Sequence, residues 1–397
     1  MSDPARLSPP LRYDGAGRTV LCAVGLALRP GVFDLALENG RIAAITPRPG
    51  EAAGWLCLPP LADLHVHANR AFTLETPPPR DFEHAIVLTE QLFGDFDEAR
   101  YAAQAGRFFN QALAKGTTRL RSHADIDPAS GLAALRGTLA AADALREALT
   151  VEVVAFASAL MDPAEAAARA VLREAIAAGA DLLGAVPALY RDPRRSIEAL
   201  LELAQELDVA VDVHLDEHLD ARRCHAGDLA RATLARGWQG RVTLSHGCAI
   251  AALPEARRRA VIASLAEAQI TVVMLPATNL YLQDRGQGTP RRRGLTCGLE
   301  LARAGVALRL ASDNVRDAFY PYGNGDLLDI AHLAATAGHI DDPALLLGGI
   351  CDGRTDLAVG NAADLLLVKG AGFGEAIAER PAQRVIFRHG VMVPSPM

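Results

Sequence analysis

The stretch LADLHVHANR, residues 61–70, sets two histidines two apart inside an otherwise apolar run. Side chains at i and i+2 of a β-strand share a face, so a strand over 61–68 points His65 and His67 the same way. From here on, short apolar or β-branched runs alternate with longer Ala-, Leu-, Glu- and Arg-rich stretches of helical character, the pattern of βα units around a parallel sheet. Eight runs read as strands: LADLHVHA (61–68), TTRLRSHADI (117–126), TVEVVAFAS (150–158), LLGAVPAL (182–189), AVDVHLDE (210–217), RVTLSHG (241–247), ITVVMLP (270–276) and VALRLASDN (306–314). Eight strands separated by helices predict a closed (β/α)8 TIM barrel in the α/β class. Glycines in AKGTT, AAGADLLG, ARGWQGRV and ARAGVAL stand where helices should stop before the next strand.

Outside that region, VFDLALENGRIAAITP (32–47) reads as two strands around an Asn-Gly turn. ADLLLVKG and QRVIFRHGVMV near the C-terminus read as further strands. The expected organisation is a barrel over residues 60–352, with residues 1–59 and 353–397 as the two parts of a small β-sandwich.

The chain has 397 residues, half of them hydrophobic, with moderate Gly and Pro, which marks a soluble globular protein rather than a disordered one. Its net charge of -7 argues against nucleic acid as a partner, because neutralising phosphates needs a concentrated basic face and Arg291-Arg292-Arg293 is too short to be one. The six cysteines include no CxxC pair, so neither a disulfide scaffold nor a thiolate zinc site is expected, and reduced thiols in a cytoplasm fit. The opening MSDPARLSPPLRYDG lacks the basic and apolar regions of an export signal, and no uninterrupted apolar run approaches about 18 residues, so no membrane span is expected.

The polar clusters fall at the C-terminal ends of the expected strands, the face where barrel enzymes build their sites. They are His65 and His67, then His123 and Asp125, then His214, Asp216 and Glu217, then Ser245 and His246, then Ser312, Asp313 and Asn314. Imidazole nitrogens with one carboxylate suit Zn²⁺ or Fe²⁺, whereas Mg²⁺ and Ca²⁺ want oxygen ligands. The expected centre is one divalent transition metal, iron or zinc, held by His65, His67, His214 and Asp313. His123 and Asp125 are expected to orient their neighbours and Asp216 to be structural. His84, His218, His225, His332, His339 and His389 are read as ordinary histidines.

The order HxH, VHLDE, SHG, ASDN resembles the amidohydrolase superfamily, and NLYLQDRGQGTPRRRGLTCGLELARAGV with DAFYPYGNGD is similar to its bacterial cytosine deaminase branch. The resemblance spans nearly the whole chain. It implies a barrel with a terminal β-sandwich, one metal, hydrolytic deamination of a heterocycle as small-molecule substrate, and association into a homo-oligomer. Binuclear relatives bridge two metals with a carbamylated lysine at the end of strand four, but DLLGAVPAL has none. Lys115 and Lys369, the two lysines of the chain, lie elsewhere, so a single metal is expected.

A bound ion lowers the pKa of its water to about 7. Asp313 is placed to accept the water's proton. Glu217, three residues beyond His214, is placed to protonate a ring nitrogen and then the departing ammonia, although its position also allows a surface salt bridge. His246 would support the attacking oxygen.

Where cytosine deaminases read AFPQ after strand three, this chain has AFASALMD, with Ser158 in place of the amide that fixes the pyrimidine edge. Asn314 follows Asp313 where that branch has a second Asp, and ASDNVRDAFYPYGNGD is similar to the N-isopropylammelide hydrolases, which remove alkylamines from s-triazines. An amide both donates and accepts where a carboxylate only accepts, so a different ring edge is read. Phe319 either lines the pocket or packs in the core. The competing expectation is an N-alkylamine-releasing or lactam-type hydrolase on a triazine-like ring. A barrel kept only as an interaction scaffold would have no use for a full ligand set.

Overall fold

The computed structural model describes residues 9–14, 18–74, 81–285 and 288–394. Residues 1–8 and 15 of the N-terminal stretch quoted above, and Gly286 and Gln287, lie outside the described residues. The eight barrel strands are β1 (Leu61–Val66), β2 (Thr117–Ile126), β3 (Thr150–Ala157), β4 (Leu182–Ala185), β5 (Ala210–Leu215), β6 (Val242–His246), β7 (Thr271–Met274) and β8 (Leu308–Leu310). They pair in sequence order, all in parallel. A parallel bridge between Val66 and Asp313 closes the cylinder, with Asp313 N donating to His65 O at 2.9 Å.

Seven of the eight expected strands run shorter than the sequence suggests, β4 and β8 by the most. β4 ends at Ala185 because Pro187, which has no N–H to offer a ladder, starts a 3₁₀ turn over Pro187–Leu189. β8 is regular only to Leu310. Beyond it the seam to β1 is latched by Asp63, whose carboxylate accepts from Ser312 N (3.0 Å) and Ser312 Oγ (2.5 Å).

The glycines of the four quoted helix stops, Gly116, Gly179, Gly237 and Gly305, all have positive φ. At Gly116 (φ 94°) a Cβ would also lie 2.6 Å from Leu366 Cδ2, so only glycine lets the terminal segment pack this close.

The terminal segments form one eight-stranded sheet from strands within residues 11–58 and 365–393. The Asn39-Gly40 turn joins Arg29–Glu38 to Arg41–Pro47 with positive φ at both residues, as a two-residue hairpin requires. Every pairing is antiparallel except that of Thr19–Leu26 with Trp55–Leu58. On the central strands Trp55–Leu58 and Leu365–Lys369 both faces are buried, and alternation divides them. Trp55, Cys57, Leu365 and Leu367 pack into the sheet's own core, while Leu56, Leu58, Leu366 and Val368 pack against barrel helices such as Leu327–Gly338. Arg384 pins the two parts together, donating to both oxygens of Asp326 (2.9 and 2.7 Å) and to Lys115 O (2.6 Å). Among the described residues no helix is long and apolar enough to cross a membrane.

Candidate active site and metal centre

Alternation along the strands sends the aliphatic set outward to the helices and leaves a polar column inside the barrel. On β5, Val211, Val213 and Leu215 join the helix-facing core, and Asp212 and His214 face in. On β2, Arg121, His123 and Asp125 form the inward set. At three strand ends the alternation breaks. His246 (φ 76°) follows inward-facing Ser245, and Asp313 (φ 62°) follows Ser312, which bonds inward to Asp63. In both cases a left-handed residue lets two consecutive side chains serve the interior. Asp216 (φ 59°) reverses the pattern: its carboxylate turns away to accept from Cys224 Sγ, His225 N and Ala226 N, and Glu217 faces the cavity. Non-glycine residues in this region cost of order 1–3 kcal/mol each and are held by surrounding structure.

Candidate ligand atoms gather at the barrel rim in groups that share His65, one with His67 and Asp313 and one with His214 and His246. His214 Nε2 lies 3.0 Å from both His65 Nε2 and His67 Nε2, and Asp313 Oδ1 lies 3.7 Å and 3.5 Å from those two nitrogens. Tetrahedral ligation with bonds of about 2.0–2.1 Å sets neighbouring ligand atoms about 3.3 Å apart, between the spacings seen. Both Asp313 oxygens are buried and lack a hydrogen-bond partner, a costly state for a carboxylate unless a cation satisfies it. The residues therefore fit one divalent transition ion. Lys115 sits 4.0 Å from Asp326 and Lys369 lies over the Trp55 ring, so neither belongs to this centre.

The groups behind the ligands set their tautomers. Ser245 Oγ donates to Asp212 Oδ1 at 2.8 Å, so the 2.8 Å contact from His65 Nδ1 to Ser245 Oγ is an N–H donation that leaves the Nε2 lone pair free for a metal. Arg121 in turn donates to Asp212 Oδ2 (2.9 Å) and to Glu152. His123 packs on His65 with centroids 4.1 Å apart. Burial, then the neighbouring imidazoles, push His65 and His214 well below the usual histidine value; burial and Arg70 do the same for His67. All three are thus neutral, the form that binds metal.

Glu217 lines the cavity with its Oε1 3.4 Å from His246 Nδ1. Burial first, and the Asp313 charge second, raise its pKa well above the ordinary carboxylate value, which favours its protonated form. His246 Nδ1 accepts from Asn279 Nδ2 at 3.0 Å, which puts its proton on Nε2, an atom with no partner among the described residues. Gln283 Nε2 donates to Glu217 O at 3.0 Å and steadies the loop.

Ligands and acid open into a cleft of about 570 Å³, counting its mouth. Its walls include the three residues expected to read the substrate. Ser158 is there, but its hydroxyl donates to Asp127 Oδ2 (2.7 Å) and accepts from Leu160 N. Asn314 is there, with its amide held by Asp317 (2.7 Å) and Thr278 (3.3 Å). Phe319 lines the cleft, its ring edge-on to Phe82 at 5.9 Å. Three features escaped the sequence reading. Asn279 and Arg70 were not singled out, although Arg70 closes the very stretch LADLHVHANR. Nor was the helix Phe82–Phe93 assigned, which roofs the cleft with Phe82, Ile86 and Glu90 at one-face spacing.

Asp313 provides a pH signature. Burial, then the Asp317 charge, pushes its carboxyl up to about 8 in the metal-free chain, from an ordinary 3.8. A group with a raised folded pKa binds its proton more tightly folded than unfolded, so metal-free stability falls as pH rises from about 4 towards 8. A ligating ion displaces that proton, while the imidazoles have none to lose. Apparent affinity for Zn²⁺ should therefore rise about tenfold per pH unit between pH 6 and 8, with about one proton released per ion. Calorimetry in buffers of different ionisation heat measures this, and a flat profile would contradict it.

The chain is 30% identical to a pterin deaminase of Rhizobium rhizogenes, over 91% of this chain and 87% of that protein. The structure of 5-methylcytosine deaminase from Klebsiella pneumoniae liganded with 5-fluorocytosine superposes with a TM-score of 0.86 at 26% identity, covering 94% of this chain and 97% of that one. That of N-isopropylammelide isopropylaminohydrolase from Burkholderia multivorans superposes with a TM-score of 0.79 at 27% identity, over 94% and 97%. Residues 83–384 match the amidohydrolase family, and with His65, His67 and Asp313 grouped as possible metal ligands at the rim of an eight-stranded barrel, the chain belongs to that family and is a hydrolase of C–N bonds other than peptide bonds.

Proposed function

We propose that the chain is a single-metal aminohydrolase that deaminates an amino-substituted N-heterocycle, of the pyrimidine, pteridine or triazine kind, and releases ammonia. The observation that carries this reading is Glu217, a buried carboxyl in the cleft wall, 3.4 Å from His246 and beside the candidate ligands His67, His214 and Asp313. Loss of ammonia from a cyclic amidine needs a proton delivered to the ring nitrogen and another to the leaving amine, and a raised carboxylic acid is suited to both. His65, His67, His214 and Asp313 would hold Fe²⁺ or Zn²⁺. A bound divalent ion supplies an acidified water at neutral pH.

Asp313 accepts the proton of the attacking water. The Nε2–H of His246 donates a hydrogen bond to the incoming oxygen, and neutral imidazole suits that task because it adds no charge for a developing anion to lose. Glu217 protonates the ring nitrogen as the carbon is attacked, then carries a proton to the exocyclic nitrogen as that C–N bond breaks. Ring C–NH₂ and water become ring C=O and NH₃. The barrel, residues 60–352, carries this chemistry, and the segments 1–59 and 353–397 brace it. A location in the cytoplasm belongs to the same reading, supported by six free cysteines.

The test is a screen of metal-loaded protein, with Fe²⁺, Zn²⁺ or Mn²⁺, against cytosine, 5-methylcytosine, isocytosine, creatinine, pterins and amino- and alkylamino-triazines. Ammonia release from an unsubstituted ring amine is the expected result. Release of alkylamine alone would replace this reading with the N-alkylamine hydrolase one.

A further inference from the structure

We infer that Arg70 is a specificity-determining residue that reads a neutral oxo oxygen on the heterocycle, so that the preferred substrates are amino-oxo rings rather than their des-oxo analogues. The inference rests on the aminohydrolase reading above for the site, but not on the identity of the leaving group.

Arg70 ends the 3₁₀ turn Ala68–Arg70 that directly follows the ligand His67, and it lines the cleft while only 7% exposed. The turn is tied down on both sides of the chain. Ala68 N donates to Ser122 Oγ (3.3 Å), and Asn69 Nδ2 donates to Asp125 Oδ2 (2.7 Å). The guanidinium is then held at one corner only: Nη1 donates to Asp125 Oδ1 at 2.9 Å, its single side-chain hydrogen bond among the described residues. Nε stands 3.7 Å from Asp317 Oδ2 and has no hydrogen-bond partner. One face of the group lies against the Phe319 ring, 4.9 Å from its centroid. A guanidinium has five N–H donors and no acceptor, so a buried one with most donors unspent in a cleft wall calls for an acceptor from the ligand.

Charge decides which acceptor. Two buried carboxylates, Asp125 and Asp317, already face this one cation, so a carboxylate or phosphate on the substrate would meet no net positive charge. A carbonyl oxygen needs only the N–H. Ser158 and Asn314, the polar groups expected to do this reading, already hydrogen-bond Asp127, Leu160, Asp317 and Thr278, and the Nε2–H of His246 serves the incoming oxygen, so Arg70 is the donor with capacity for the ring's own oxygen. Phe319 and Phe82 beside it give the ring an apolar wall to lie on.

The test measures equilibrium binding of paired ligands to the zinc-loaded protein: isocytosine against 2-aminopyrimidine, and pterin against 2-aminopteridine. The wild type should favour the oxo member of at least one pair. Arg70→Met should lower affinity for that oxo member roughly 10- to 100-fold, the range for losing a hydrogen bond to a charged donor, and leave the des-oxo member within about threefold. Arg70→Lys, which keeps the charge against Asp125 and Asp317, guards against a folding defect and should retain part of the preference, with zinc content equal to wild type. Equal weakening of both members, no change in either, or a wild type that favours neither would overturn the role of Arg70. Because binding is read, a chain that shows this preference yet frees no ammonia would refute the aminohydrolase reading and keep Arg70, whereas ammonia release unaffected by Arg70→Met would do the reverse.

Discussion

Glu217→Gln should lower kcat by about 10²–10⁴-fold, the usual contribution of a positioned general acid, with metal content and folding unchanged. The amide matches the carboxyl in size and can still face Asn279 Nδ2 and His246 Nδ1, which lie 3.5 and 3.4 Å from Oε1 in the native chain. What it lacks is a proton to give. The substitution also removes a buried group whose pKa is raised by burial and by Asp313, so stability should not suffer and should become less sensitive to alkaline pH. The acidic proton is lost as pH rises through the raised value, so the wild-type rate should fall on that limb and the variant should lose the limb altogether. Steady-state kinetics on the best substrate from the screen, with parallel metal analysis, reads both quantities. Turnover within about threefold of wild type would remove Glu217 from the chemistry.

His214→Ala should cost the centre its metal. Its Nε2 is the hub of the cluster, 3.0 Å from the other two imidazole nitrogens. Metal should drop from about one ion per chain to a small fraction, and activity with it. Ser245→Ala is the graded counterpart. It leaves every ligand present but removes the acceptor that fixes the His65 tautomer, so metal affinity should fall only about 10- to 100-fold. Competition with a chromophoric chelator measures both variants. Equal metal retention by His214→Ala and wild type would exclude His214 as a ligand.

Much of the fold was legible because its signals are local. Two histidines at i and i+2 declare a shared strand face, and the glycines at Gly116, Gly179, Gly237 and Gly305 mark helix stops by their positive φ. The stretch 117–126 coincides with β2 residue for residue. His65, His67, His214 and Asp313 were nameable because each lies at a strand end, and a closed barrel brings strand ends to one rim whatever their separation in sequence.

The rest depended on departures from regular alternation or on contacts between distant segments. Strict alternation from Ser245 or Ser312 would send His246 and Asp313 outward, and only their left-handed backbones turn them in. The spending of Ser158 on Asp127 and of Asn314 on Asp317 is a matter of side-chain geometry that spacing does not encode. Arg70 was hidden for a related reason: in HANR it looks like the start of a loop, and its burial follows from Asp125 and Phe319 arriving from β2 and from beyond β8. The helix Phe82–Phe93 carries no strand-end signature, yet it supplies one wall of the cleft.

The proposed chemistry depends on a single ion bound by three imidazole nitrogens and one carboxylate. Metal analysis of the purified chain with X-ray absorption at the edge of the bound metal tests this directly. The expected result is about one iron or zinc per chain, nitrogen and oxygen ligands at about 2.0–2.2 Å, and no metal–metal vector. Two ions per chain with such a vector, or none after reconstitution with Zn²⁺ and Fe²⁺, would contradict it.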